Sequence, residues 1–102
     1  MTFLFFIYLT LVSHFITMIS DNERDILKEF GKHLKGLREE RKLSFREFSK
    51  LSGVNTGDIV KYENGESGPN ILTLKKLAVG LKIHPTKLLD FNFNIDFNAG
   101  LE

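Results

Sequence analysis

The chain has 102 residues, 42% of them hydrophobic, which suits one small domain with a core and short terminal extensions. It has no cysteine, and its three histidines lack metal-ligand spacing, so we expect no disulfide and no metal site. A chain without cysteine fits a reducing cytoplasm, while a net charge of +1 says little about partners.

Residues 1–19 are apolar and contain no Lys or Arg. They lack the basic start and the small-residue cleavage site of a signal peptide. About 17 residues of helix cover about 25 Å, so one interpretation is a membrane anchor. The other is a start assigned too early, since a domain beginning at Met18 would be complete. We expect the second, with this segment forming an apolar helix or a disordered extension.

A domain is predicted over residues 20–90. Ser20 and Glu23 have the spacing of a capping box, which predicts that a helix begins here. The helix should continue to about Lys42, because apolar residues recur at steps of three and four. These are Ile26, Phe30, Leu34 and Leu37.

A second short helix should begin after Ser44, a good N-cap that forms a capping box with Glu47. Phe48 and Leu51 supply its apolar face. Gly53 should end it, because the following turn needs a residue that can adopt positive φ.

A third helix should begin at the N-cap Asn55, with Asp58 suited to the positive end of the helix dipole. Ile59 and Tyr62 face inward, and Asn64-Gly65 ends the helix. Helices this short bury little surface alone, so the flanking helices must supply the rest of the core.

Two further helices complete the domain. Pro69 lies near the start of the fourth, and Pro85 suits the first turn of the fifth, predicted over residues 83–89. The core face of the fourth helix consists of Ile71, Leu74, Leu77, Ala78 and Leu81.

The C-terminal tail, residues 91–102, begins with FNFNIDF, which alternates apolar and polar residues as a strand does. A strand here could pair with its copy in a second chain and form a dimer. Alternatively, the phenylalanines of the tail cover the helical core. Both interpretations are open.

The run from residue 44 to residue 65 resembles the helix-turn-helix of the Cro/repressor-type (XRE) DNA-binding family, and the resemblance extends over residues 30–89. It implies an all-α, five-helix, lambda-repressor-like bundle. The residues that match the family in order and spacing are Leu43-Ser44, Glu47-Phe48-Ser49, Gly53-Val54-Asn55, Ile59, Glu63-Asn64-Gly65 and Pro69.

In this family the outer face of the third helix enters the major groove. The resemblance implies that Thr56 and Lys61 reach bases or phosphates, and that Val60 suits a thymine methyl group. Gly57, without a side chain, would let the backbone approach closely. The implied base-reading set is Asn55, Thr56, Gly57, Val60 and Lys61.

Phosphate contacts are expected from backbone N–H groups at the start of the second helix and from nearby cations. Residues 24–50 contain nine basic and five acidic residues, although a solvated helix face with charge pairs accounts for them equally well. The candidates are Phe45, Arg46, Lys50, Asn64, Arg41 and Lys42.

The resemblance also implies an ion pair between Arg38 and Glu63 that fixes the third helix against the first. The chain departs from the family where Phe45 replaces a common glutamine and where Glu66 replaces a frequent basic residue. Short residues at positions 56–58 replace the long polar side chains usual in base readers.

The implied function is sequence-specific binding of double-stranded DNA by a small homodimeric transcriptional regulator. The alternatives are an antitoxin-like or other protein-interaction module with weak DNA binding, and a membrane-tethered regulator. The sequence contains no nucleophile elbow, P-loop or dinucleotide fingerprint. We therefore expect no enzyme activity, no cofactor and no small-molecule ligand.

Overall fold

The computed structural model describes residues 2–93, 95 and 97, with the backbone alone for residues 2, 3 and 13–22. Four α-helices precede a short 3₁₀ helix, and the described residues form no strand. The prediction of an all-α, five-helix domain is confirmed, although the fifth helix is of the 3₁₀ type. The elements are α1 (Thr2–Glu40), α2 (Phe45–Ser52), α3 (Thr56–Glu63), α4 (Ile71–Leu81) and the 3₁₀ helix (Pro85–Leu89).

Helix α1 is continuous through residue 20, so the prediction that a helix begins at Ser20 is wrong. Residues 2–19 contain no Gly or Pro to stop a helix, and a capping residue marks a helix start only where the preceding chain is not helical. At its N-terminal end, the side chains of Phe5, Phe6 and Leu11 are 63–69% exposed. No helix formed by the described residues combines the length and apolarity needed to span a bilayer.

The core lies where α1 packs against α3 and where α2 packs against both α3 and α4. Of the predicted stripe on α1, Phe30 and Leu34 are buried, Leu37 packs at the edge and Ile26 is 37% exposed. The largest fully buried side chains are Phe48, Leu34, Ile59, Leu77, Leu81 and Leu88.

Both ends of α2 have the predicted chemistry. The hydroxyl of Ser44 accepts a hydrogen bond from the Glu47 N–H at 3.0 Å, and the Glu47 carboxylate accepts one from the Ser44 N–H at 3.3 Å. Gly53 has φ 76°, and its N–H donates to the Ser49 carbonyl at 2.8 Å. The capping box and the glycine stop are therefore confirmed.

Two glycines allow helices to approach closely. A Cβ atom on Gly31 of α1 would lie 2.5 Å from the carbonyl oxygens of both Tyr62 and Glu63 in α3. A Cβ atom on Gly80 of α4 would lie 2.8 Å from the Cβ atom of Ser52 in α2. Since both distances are too short for real Cβ atoms, the seating of α3 on α1 and of α4 on α2 depends on these glycines.

In the tail, Phe91 packs against the core and stacks on Phe93, with ring centroids 4.3 Å apart. This arrangement matches the alternative in which phenylalanines cover the core. Ile95 and Phe97 are 55% and 81% exposed. The other tail residues of that motif, 94 and 96, lie outside the described residues, so pairing of the tail with a second chain stays a prediction.

Candidate nucleic-acid interface

Helix α3 is anchored along one side only. Ile59 is fully buried and Tyr62 is 9% exposed. Burial raises the pKa of the Tyr62 hydroxyl, and the nearby charge of Asp58 adds to this effect. At the N-terminus, the side-chain oxygen of Asn55 accepts a hydrogen bond from the Gly57 N–H at 2.7 Å, so the predicted N-cap is present.

The opposite side of α3 carries the predicted base-reading residues. Asn55, Thr56, Gly57 and Lys61 are exposed, and Val60 is half-buried. A Cβ atom on Gly57 would meet the side-chain oxygen of Asn55 at 3.0 Å, which a small rotation relieves. The structure therefore places the whole set on one accessible surface. Because Gly57 has no side chain, it leaves room beside the helix backbone at that position.

Arg38 and Glu63 form a bidentate ion pair between α1 and the C-terminal end of α3. Nε and Nη2 of Arg38 donate to the two carboxylate oxygens at 2.7 and 3.0 Å. The two side chains are 10% and 3% exposed. The hydrogen bond to Glu63 and its negative charge raise the pKa of Arg38, although burial opposes them. The pair that the resemblance implies is thus present and largely shielded from water.

The same guanidinium makes two further contacts that sequence reasoning missed. Nη1 of Arg38 donates to the carbonyl of Leu43, in the turn before α2, at 2.8 Å. The guanidinium carbon lies 4.1 Å from the centroid of the Phe45 ring, at the start of α2. In the sequence Phe45 only marks the loss of a common glutamine, and no local pattern predicts that its ring meets Arg38.

The predicted phosphate-binding residues near α2 and α3 differ in exposure. Arg46, Lys50, Lys42 and Asn64 are exposed, and Phe45 is half-buried at the first position of α2. The N–H groups of the first helical turn have no partner within a helix and carry the positive end of its dipole. The start of α2, flanked by Lys42 and Arg46, is therefore suited to an anion.

Arg41 makes structural contacts that the sequence does not predict. Its Nε donates to the carbonyl of Leu81 at 2.8 Å, and its Nη1 donates to the carbonyl of Leu37 at 2.9 Å. The last carbonyls of a helix lack helical donors, and a guanidinium near a helix C-terminus satisfies them. Arg41 thus joins the C-terminal ends of α1 and α4, and its contact with a phosphate stays a prediction.

Within the part of the chain that the structure describes, no group of three acidic, histidine or cysteine side chains could hold a metal ion. The described buried side-chain nitrogen and oxygen atoms all have hydrogen-bond partners. On the outer face of α3, Thr56 offers hydrogen bonding, Lys61 a positive charge and Val60 an apolar contact.

Residues 31–91 match a family model described as a helix-turn-helix domain. Two relatives from Bacillus subtilis are similar over 58 residues, or 56% of this chain. The HTH-type transcriptional repressor RghR is 47% identical, and an uncharacterized HTH-type transcriptional regulator, RghRB, is 41% identical. The match spans 43% and 42% of their lengths, so this chain corresponds to less than half of each relative.

Two solved structures are also similar. The restriction-modification controller protein C.AhdI from Aeromonas hydrophila is 32% identical, with a TM-score of 0.59 over 61% of this chain and 94% of that protein. An HTH_3 family transcriptional regulator from Vibrio cholerae is 33% identical, with a TM-score of 0.62 over 66% of this chain and 38% of that protein. The relatives are regulators rather than enzymes, in agreement with the prediction of a non-catalytic protein.

Proposed function

This chain belongs to the helix-turn-helix domain family, and on that premise we propose that it binds double-stranded DNA sequence-specifically as a small transcriptional regulator. The observation that carries the proposal is the open outer face of α3, whose inner face is fixed by Ile59, Tyr62 and the Arg38–Glu63 pair. A rigid helix with one free polar face fits the major groove.

Four residues of the outer face have distinct roles in this proposal. Lys61 donates to guanine acceptors or to a phosphate, and the hydroxyl of Thr56 bonds a base edge. Val60 contacts a thymine methyl group. Gly57 lets the helix lie closer to the bases, because no side chain separates its backbone from the DNA.

The sugar-phosphate backbone is held beside this face by the start of α2. The N–H groups of Phe45 and Arg46 point out of a helix N-terminus, which attracts an anion. The exposed cations of Lys42, Arg46 and Lys50 add attraction that does not depend on sequence. Asn64, exposed at the end of α3, contacts a phosphate on the other side.

We further propose that the protein acts as a homodimer on a two-fold site, with half-site centres about 34 Å apart, one turn of DNA. Support comes from exposed apolar side chains on α4. Leu72 and Val79, seven residues apart and so on one face of the helix, are 68% and 60% exposed. Ile71, predicted to face the core, is instead 76% exposed. A contiguous exposed apolar patch is typical of an interface.

The second candidate function is a protein-interaction module that has kept the fold with weak DNA binding. The exposed Asp58 and the short Thr56 and Gly57 favour it, because a carboxylate repels phosphates and short side chains read few base atoms. The two candidates differ in how salt affects binding.

Selection from a random duplex library with the full chain, followed by salt titration of the best duplex, tests the proposal. If several phosphates are contacted, log K should fall linearly with log salt, by about 0.9 per phosphate neutralised. A duplex retained only weakly at low salt, or a flat response, would instead support the interaction module.

Truncating the reading face is expected to weaken specific binding without unfolding the protein. Lys61→Ala and Thr56→Ala should each lower affinity for the selected duplex by about 5- to 150-fold, corresponding to about 1–3 kcal/mol. Fluorescence anisotropy on the selected and a scrambled duplex measures the loss of discrimination.

Lys32→Ala is the matched control, since the side chain is 76% exposed on α1 and its removal changes the net charge as Lys61→Ala does. Its affinity should stay close to that of the wild type. Equal affinity in all three variants would mean that the bases are read elsewhere.

A further inference from the structure

Phe45 stands at the junction of three elements that the proposed DNA interface needs in register. We propose that it is a positioning residue for DNA binding: stacked on Arg38, its ring sets the first turn of α2 relative to α3. This inference rests on the proposed function, because it concerns the phosphate-facing turn and the base-reading helix. It gives Phe45 a role in place of the contact that a glutamine would make.

The geometry around Arg38 carries the argument. The guanidinium of Arg38 donates three hydrogen bonds through in-plane N–H groups, two directed at Glu63 and one at the Leu43 carbonyl. These bonds hold the plane fixed and leave its faces available. The Phe45 ring lies against one of them, 4.1 Å from the guanidinium carbon, well within the range of a cation–π contact.

One side chain of α1 thereby holds the end of α3 through Glu63 and the beginning of α2 through Phe45. The guanidinium cannot rotate without breaking the bonds that seat α3. The Phe45 ring therefore packs on a guanidinium plane whose orientation is already fixed by its bonds to Glu63 in α3. Its position transmits that orientation to the first turn of α2.

The capping box does not do the same work. Ser44 and Glu47 are exposed, and they bond to each other's backbone at 3.0 and 3.3 Å. They decide where the helix begins along the chain. Within the described residues, the side chains of Ser44 and Glu47 form no hydrogen bond with α1 or α3. The Phe45 ring is the side chain of this turn that contacts Arg38, and so it links the first turn of α2 to the residue that seats α3.

The consequence for binding is one of preorganisation. Without the stack, a smaller fraction of free molecules holds the N–H groups of α2 and the face of α3 in register for one duplex. The apparent affinity for the duplex falls in proportion to the fraction of free molecules that are correctly arranged. Once bound, the protein touches the same phosphates, so the dependence of binding on salt should not change.

The experiment compares Phe45→Leu, which keeps an apolar side chain and loses the ring face, with Phe45→Tyr, which keeps the ring. Affinity for the selected duplex is measured against salt, at a temperature where melting curves show every variant folded. We expect Phe45→Leu to bind about 3- to 10-fold more weakly. Phe45→Tyr should bind within about twofold of the wild type, and all three plots of log K against log salt should be parallel.

If Phe45 only stabilised the fold, affinity would be the same in all fully folded variants. A Phe45→Leu protein that binds like the wild type therefore overturns the inference. A change of about one in the salt slope also overturns it, since that marks a lost phosphate contact. If the wild-type protein binds no duplex, the proposed function itself is contradicted.

Amide exchange of the free protein distinguishes these failures. The Phe48 N–H donates to the Ser44 carbonyl at 2.9 Å, in the first turn of α2. Its exchange should be faster in Phe45→Leu and unchanged in Phe45→Tyr, whether or not DNA is bound. Equal exchange in all three proteins shows that the ring does not hold this turn, which overturns the inference independently of any DNA measurement.

Discussion

Gly31→Ala is expected to destabilise the domain by about 3 kcal/mol, near the upper end of the usual cost of overpacking. The new methyl group would lie 2.5 Å from two backbone carbonyl oxygens of α3, those of Tyr62 and Glu63. Backbone atoms cannot rotate away as a side chain can, so α1 and α3 must separate. That movement also loosens the bidentate pair between Arg38 and Glu63.

The matched control is Gly36→Ala, five residues further along the same helix, where a Cβ atom would meet no atom within 4 Å. Alanine there should stabilise the protein by about 0.5–1 kcal/mol, because glycine in a helix interior costs that much relative to alanine. Urea denaturation measures both changes. Two variants of equal stability would mean that α3 does not depend on a close approach at residue 31.

Sequence reasoning worked best where the interacting residues are neighbours in the chain. The Ser44–Glu47 capping box, the Asn55 cap and the positive φ of Gly53 each depend on residues within about four positions. Such devices have fixed spacing, so the pattern alone specifies them. The placement of α2 and α3 followed, and with it the accessible face of α3.

The same reasoning failed where the partner lies far along the chain. Gly31 and Gly36 are indistinguishable in the sequence, and only the seating of α3 separates them. Arg41 and Lys42 are both basic, yet Arg41 reaches a carbonyl 40 residues away while Lys42 is exposed. The Phe45 ring depends likewise on a guanidinium whose plane is fixed by Glu63.

Arg38→Ala is expected to destabilise the domain by about 3–5 kcal/mol, the usual cost of leaving one member of a buried ion pair alone. The Glu63 carboxylate is only 3% exposed, so without Arg38 it would be left poorly hydrated and without its ion-pair partner. The variant also loses the bond to the Leu43 carbonyl and the contact with Phe45. Urea denaturation measures the lost free energy of unfolding, provided that the variant and the wild type have the same m-value.

The double variant Arg38→Met, Glu63→Leu separates the cost of a buried charge from the loss of contacts. Replacing both members of a buried pair by apolar residues of similar size is often neutral or stabilising. The double variant should therefore be more stable than Arg38→Ala, although it contains one more substitution. Arg38→Lys should fall between wild type and Arg38→Ala, because an ammonium keeps the charge and loses the bidentate geometry. If the double variant is the least stable of the three, then favourable contacts, and not the avoidance of an unpaired carboxylate, explain why Arg38 stabilises α3.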